Sequence, residues 1–307
     1  MVESVITVSK LVKKYGDFTA VDGIDFEVHR GEVFSILGPN GAGKTTTVEI
    51  IECLKTKTSG EVSILGMDIG RATRDIKKRI GVLPQDFNAF DLLTVKENIE
   101  YFGGMFREHL PAEDLITLVD LKDKRDEYFK NLSGGLKQRV GVAISMVNDP
   151  DIIFLDEPTT GLDPKARREV WEVVKGLKEK GKTIILTTHY MEEAEVLSDR
   201  VAIMDGGRFI AIGSPKDIID RYGTGTVLMV RGGGASAYEK LKTISSRVER
   251  KGEDVVVRVD RKEVLPEVVK VLESSGSFYE ELQLRRSTLE DVFLSLTGRR
   301  LGEGEVD

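Results

Sequence analysis

Cysteine is almost missing from this 307-residue chain: Cys53 stands alone, which excludes an intramolecular disulfide and fits a reducing compartment. Histidine is scarce as well, with only His29, His109 and His189, so a Cys/His zinc site is not expected. No apolar run approaches the roughly 20 residues a membrane helix needs; Ile152-Ile153-Phe154-Leu155 is typical of the longest. Basic charge is not in excess. The 45 Lys and Arg against 52 Asp and Glu leave a net charge of -7, whereas a duplex nucleic-acid binder usually carries a basic surplus. The opening MVESVITVSK has an acid at Glu3 and no basic stretch before an apolar run, so no signal peptide is expected. Internal repeats, low-complexity tracts and sustained heptads are absent too. What is present is a globular composition, 40% hydrophobic and 32% charged. At about 150 residues per domain the length predicts two domains of a cytoplasmic chain. If it works at a membrane, another chain must supply the membrane part.

The first ~70 residues read as β-rich, with strand-like stretches at Val5 to Val8, Ile24 to Val28 and Glu61 to Leu65 punctuated by glycines. Short apolar runs follow at Phe34 to Leu37, Ile152 to Leu155, Ile184 to Leu186 and Val201 to Met204. Separated by helical patterns, they predict buried parallel strands of an α/β domain. Residues 94–150 are mostly helical in pattern, and Thr94 with Glu97 makes a capping box ahead of Ile99, Phe102 and Phe106. Composition shifts near Tyr222-Gly223-Thr224-Gly225 and again at Gly232 to Gly234, which places a domain boundary at about 222. Beyond it, strand-like segments (227–230, 255–259, 278–284) alternate with helical ones. Val264, Leu265, Val268, Val269, Val271 and Leu272 mark one broad helical face. That order predicts a small ferredoxin-like α+β domain over 223–307. Ser287 and Glu290 predict a second capping box, opening a last helix with Leu289, Val292, Phe293 and Leu296 buried.

Gly38-Pro39-Asn40-Gly41-Ala42-Gly43-Lys44-Thr45, followed by Thr46, matches G-x-x-x-x-G-K-[ST] directly after the strand Phe34 to Leu37. Its glycines let backbone N–H groups turn inward around phosphate oxygens, and the positive end of the following helix points the same way. Lys44 is placed to reach the β and γ phosphates, and the Thr45 hydroxyl to ligate Mg²⁺. The helix itself is expected to show Val48, Ile51 and Leu54 on one face, with Cys53 as a small unreactive hydrophobe. Asp151-Ile152-Ile153-Phe154-Leu155-Asp156-Glu157-Pro158 supplies the complement: a buried strand with two acids at its end, where α/β sheets bind ligands. Asp156 is assigned to the metal and Glu157 to a nucleophilic water.

Between these motifs, Leu132-Ser133-Gly134-Gly135 followed by Lys137-Gln138-Arg139 resembles the signature of ATP-binding cassette (ABC) ATPases. Tyr15 sits where that family stacks an aromatic on adenine, and Gln85 follows the strand Ile80 to Leu83 at its Q-loop. Gly161-Leu162-Asp163 resembles the D-loop, and His189 ends the strand Thr183 to Thr188 at the switch position. All of these motifs stand in the family's order within residues 1–222. The departure is Leu136, where the family most often has Gln.

The resemblance implies a P-loop NTPase fold with an antiparallel β subdomain and a helical subdomain at about 86–150. It also implies Mg-dependent hydrolysis of ATP, with Gln85 joining Thr45 and Asp156 at the metal and His189 sensing the γ-phosphate. The family works as a head-to-tail pair in which ATP lies between the P-loop of one cassette and the Ser133-Gly134-Gly135 segment of the other, with Asp163 near that junction. Motion passes through the Gln85 loop to a separate permease at the inner face of the membrane. Ser287-Thr288-Leu289-Glu290-Asp291-Val292-Phe293 and Leu296-Thr297-Gly298-Arg299 resemble the tail of ATPases that drive drug, lipid or polysaccharide export. The competing readings are an importer ATPase, whose C-terminal domains are usually longer and of a different β type, and a soluble ABC ATPase acting on DNA or ribosomes. DNA-repair types insert a coiled coil between the P-loop and the acidic strand, yet only about 110 residues separate Lys44 from Asp156 here. Ribosome-acting types carry two cassettes per chain, and this one carries one.

Overall fold

The computed structural model describes residues 3–223, 226–244, 248–259, 264–274 and 279–297. The chain divides into two compact units at Pro215/Lys216. The first begins with β1 (Ser4–Tyr15), β2 (Phe18–His29), β3 (Val33–Leu37), α1 (Lys44–Ile51), β4 (Ser59–Ile64) and β5 (Met67–Asp68). It continues with α2 (Thr73–Lys77), β6 (Ile80–Leu83), α3 (Val95–Gly103), α4 (Ala112–Leu118) and α5 (Gly134–Ser145). It closes with β7 (Ile152–Asp156), α6 (Pro164–Glu179), β8 (Thr183–Thr188), α7 (Met191–Leu197), β9 (Arg200–Asp205) and β10 (Arg208–Gly213).

Two sheets result. An antiparallel sheet runs β2-β1-β4-β5, and a six-stranded sheet runs β10-β9-β3-β8-β7-β6, parallel except for the β9–β10 hairpin. The parallel strands read as unbroken apolar runs because both their faces are covered. In β7, Ile152 and Phe154 join a core with β1, β2 and α1 (Ile6, Phe26, Val48, Ile51). The alternate residues Ile153 and Leu155 point to a second core with α3 to α6, among Ile99, Ile116, Val140 and Leu177. At roughly 1.5–3 kcal/mol per fully buried aliphatic or phenyl side chain, these two layers are the main force holding the sheet rigid.

The capping box of α3 forms as expected, Thr94 with Glu97 in both directions, but the helix stops before Phe106. Helix α1 also ends earlier than its apolar spacing suggested. Cys53 takes a left-handed φ of 60°, and the Leu54 N–H turns back to Glu49 O at 2.8 Å, which closes the helix and leaves Leu54 exposed.

The second unit carries most of α8 (Pro215–Tyr222), then β11 (Thr226–Arg231), α9 (Gly234–Leu241), β12 (Val248–Lys251), β13 (Asp254–Val259), α10 (Val264–Ser274), β14 (Glu281–Arg286) and α11 (Leu289–Thr297). The expected boundary near 222 therefore marks the end of α8, whereas the division falls at its opening proline. The βαββαβ order with an antiparallel sheet β12-β13-β11-β14 is ferredoxin-like, and Leu228, Val230, Val255, Val257, Val268 and Leu272 form its core. The last helix is capped one residue later than expected. Thr288 Oγ1 accepts from Asp291 N at 3.4 Å and Asp291 Oδ2 accepts from Thr288 N at 2.9 Å. Leu289, Val292 and Phe293 are buried, but Leu296 is partly exposed. Phe278, Gly298 and Arg299 lie outside the described residues.

Candidate functional site

Register brings the motifs to one edge of the six-stranded sheet. Leu37 pairs with Thr188, Thr187 with Asp156, and Leu155 with Leu83. The loop before α1, His189, Glu157 and Gln85 therefore all leave the carboxyl ends of neighbouring parallel strands, where open α/β sheets hold ligands. The glycine loop is pressed between that edge and β2. A side chain on Gly43, at φ 105°, would sit 2.4 Å from Ala20 O, and one on Gly38 would sit 2.3 Å from Met204 O. Larger residues at either position would push the loop off the sheet.

Lys44 is buried at the base of this loop. Its ammonium donates to Gly38 O at 2.9 Å and Pro39 O at 3.2 Å, and lies 3.4 Å from Glu157 Oε1. Burial pushes its pKa below the ordinary lysine value. The other Glu157 oxygen meets His189 Nδ1 at 3.0 Å and accepts from the Thr160 hydroxyl at 2.9 Å. The Glu157 backbone is left-handed, φ 48°, and its N–H is anchored on Thr187 O and Oγ1, both at 3.1 Å. The His189 hydrogen bond, with the Lys44 charge, holds the Glu157 carboxyl down to about 2. Asp156 behaves oppositely: burial raises its pKa, and its bonded neighbour is the neutral Thr187 hydroxyl.

Tyr15, Asn40, Gly41, Gly43, Lys44, Thr45, Thr46, Gln85 and Glu157 line one cavity of about 360 Å³. Phe18 and Ala20, not singled out in the sequence, line it as well. Tyr15 and Phe18 are 44% and 63% exposed, and Lys13 Nζ stands 4.8 Å from the Tyr15 ring centroid. Two aromatic faces beside a phosphate-shaped loop suit a flat base attached to a polyphosphate. Ala42 is buried, with its N–H on Pro39 O and its carbonyl taken by Gly207 N, so it is scaffold and not wall. Sequence reasoning also passed over Thr160, exposed in a turn, and Thr187, although a threonine inside a strand as buried as β8 is itself a signal that a polar partner is near.

Ser133, Gly134, Gly135 and Asp163 do not line this cavity. They form a second patch, with Ser133, Gly134 and Asp163 exposed and Gly135 buried beneath them. Ser133 caps α5, its hydroxyl 3.5 Å from Leu136 N. Asp163 caps α6, accepting from Lys165 N at 2.9 Å and Ala166 N at 3.0 Å, and these backbone bonds lower its pKa. Gly134 lies against Leu162, and Gly135 packs so tightly on Ala166 that no side chain fits between them. Two helix N-termini thus open side by side. Leu136 contributes its N–H to the cap, while its side chain packs into the second core.

Comparison with known proteins finds relatives over both units of the chain. The ABC transporter family model matches residues 21–160, and that of the ATP-binding protein DrrA1-3-like C-terminal domain matches 213–297. The chain is 39% identical to the daunorubicin resistance ATP-binding protein DrrA3 of Streptomyces coeruleorubidus, covering 99% of both chains. It is 41% identical to the Nod factor export ATP-binding protein I of Rhizobium meliloti (strain 1021), over 96% of this chain and 89% of that one. Among solved structures it resembles cbiO1 of Clostridium perfringens, part of the ABC transporter complex cbiONQ (TM-score 0.66, 28% identity, 72% of this chain and 92% of that one). It also resembles an ATP-binding cassette in a dimeric post-hydrolysis state bound to ADP and Pi (TM-score 0.61, 29% identity, 68% and 98% covered).

Proposed function

Because this chain belongs to the ABC transporter family, as a nucleotide-binding ATPase cassette with a DrrA-like C-terminal domain, we propose that it is the ATP-hydrolysing subunit of an exporter. The permease is read as a separate chain; no helix among the described residues is long and apolar enough to cross a membrane. Export is favoured over import by the similarity of the whole chain, C-terminal domain included, to ATP-binding proteins of drug resistance and Nod factor export.

The observation that carries the hydrolytic reading is the Glu157 carboxylate, held between Lys44 Nζ and His189 Nδ1 beside the glycine-loop cavity. Held ionised, it can accept a hydrogen bond from a water and orient it toward the γ-phosphate, with His189 steadying both. Lys44, freed from the Gly38 and Pro39 carbonyls, pairs with phosphate oxygens, and Tyr15 and Phe18 flank the base. Thr45, Gln85 and Asp156 offer oxygen donors, and among the described residues no group of three or more His, Cys, Asp or Glu is placed to hold a metal ion by itself. Such a set fits magnesium, which keeps most of its water and takes few protein ligands. Asp156, buried without an ion-pair partner among the described residues, is the carboxylate such a cation would neutralise. When bound, the metal would offset charge developing on the phosphates.

Ser133, Gly134, Gly135 and Asp163 are read as serving the nucleotide of a second subunit. A groove of about 500 Å³ beside Gln85, lined by Pro84, Phe87, Phe102, Met105 and Phe106, supports docking of the permease, which would hold the subunit at the inner membrane face.

Glu157→Gln tests this reading. ATP should still bind, turnover should fall by about 10²–10⁴, and ATP should trap a dimer visible by size-exclusion chromatography. An unchanged hydrolysis rate would remove Glu157 from the reaction.

A further inference from the structure

Helix α7 starts directly after His189-Tyr190, and its Glu193 is fully buried. Among the described residues no Lys or Arg forms an ion pair with it. Its Oε1 instead accepts two neutral donors from different segments, Thr159 Oγ1 and Trp171 Nε1, both at 2.8 Å. Taking a carboxylate out of water costs several kcal/mol that neutral donors offset only in part, and burial does raise the Glu193 pKa. A site that needed packing alone would be better served by an apolar side chain.

The partners show what the cost secures. Thr159 is itself buried, two residues past Glu157, and the next residue, Thr160, donates to the Glu157 carboxylate. Trp171 lies on α6, the helix capped by Asp163. A second tie joins the same helices: the Arg167 guanidinium lies 3.9 Å over the Tyr190 ring, whose centroid is 4.1 Å from that of His189. We infer that Glu193 is a positioning residue for ATP hydrolysis, tying the segment after β7 and the start of α7 to α6 so that Glu157 and His189 stay in register. The inference rests on Glu157 and His189 being the hydrolytic pair.

The test compares kcat, ATP affinity and melting temperature in Thr159→Val, Trp171→Phe, Glu193→Ala and Glu193→Gln. A displacement of about 1 Å can cost a reaction on the order of 10²-fold. Thr159→Val, which removes one donor and keeps its shape, and Trp171→Phe, which removes the other donor together with one ring, should lower kcat by about tenfold, with the Kd for ATP changed less than about twofold. Glu193→Ala should lose about 100-fold, and Glu193→Gln, which keeps an oxygen for both donors, should recover most of it. Trp171 is the only tryptophan, so its emission reads the state of this contact in the Thr159 and Glu193 variants. If Glu193→Ala does not fold, Thr159→Val and Trp171→Phe carry the test. Wild-type kcat in both, a parallel loss of ATP affinity, or a Gln variant no better than Ala would each overturn the inference. Glu157→Gln in the same series separates the two failures. Inactive Glu157→Gln beside fully active Thr159→Val sinks the positioning role alone, while active Glu157→Gln takes down the hydrolytic assignment and this inference with it.

Discussion

Two glutamates near the glycine loop show how position alone sets charge. Glu157 has His189 and Lys44 beside it and is held near 2, whereas Glu52, 3% exposed just past α1, is pushed up to about 8 by burial, aided by Asp156 and Glu49. Folded, Glu52 keeps its proton until about pH 8; unfolded, it loses it near 4.5. Between those values the folded state holds a proton the unfolded state has released, so Glu52 makes stability fall as pH rises. Glu52→Gln, which cannot ionise, should therefore melt progressively higher than the nucleotide-free wild type as pH climbs from about 5 to 8.5. Thermal unfolding across that range checks it, and a constant gap would mean Glu52 titrates normally. The sequence made Lys44 and Asp156 legible because spacing after a strand constrains them. It could not reveal Phe18 or Thr160, whose roles come from contacts that leave no periodic mark.

At the level of elements, what was legible followed the physics of burial. Strands covered on both faces print as apolar runs, and β3, β7, β8 and β9 were all foreseen. Element ends were less so, because they depend on backbone closure. The left-handed Cys53 stopped α1 before Leu54. At α11 the box foreseen, Ser287 with Glu290, lies one residue before the Thr288 and Asp291 pair that bonds reciprocally. Arg285 Nη2 also reaches Asp291 Oδ1 at 3.1 Å, which favours the second register and holds the Asp291 carboxyl below its usual range. Asp291→Ala should accordingly cost about 1–3 kcal/mol of stability. Glu290→Ala, on the solvent side, should stay within about 0.5 kcal/mol. Denaturant unfolding of the two variants compares them; equal losses would return the cap to Ser287 and Glu290.

Across the whole molecule, the two halves of the proposed reaction centre occupy different places on one chain. The cavity has the glycine loop, Lys44 and Glu157 but none of Ser133, Gly134, Gly135 or Asp163, while the exposed Ser133, Gly134 and Asp163 mark a pair of helix N-termini suited to an anion. If the patch serves another copy's nucleotide, binding and turnover must separate under mutation. Lys44→Ala removes a charged donor in the cavity, worth about 1.5–3 kcal/mol, so ATP affinity in dilute protein should drop about 10- to 150-fold. Ser133→Arg should leave that affinity nearly intact and abolish turnover, because it blocks the opposing surface. Wild-type turnover per subunit should also rise with protein concentration and then saturate, while the ATP affinity of the monomer stays constant. Titration calorimetry and a phosphate-release assay over a dilution series measure both quantities. Turnover independent of concentration in a demonstrably monomeric protein, or equal loss of affinity in both variants, would put the patch and the cavity in a single subunit's site and remove the need for a pair.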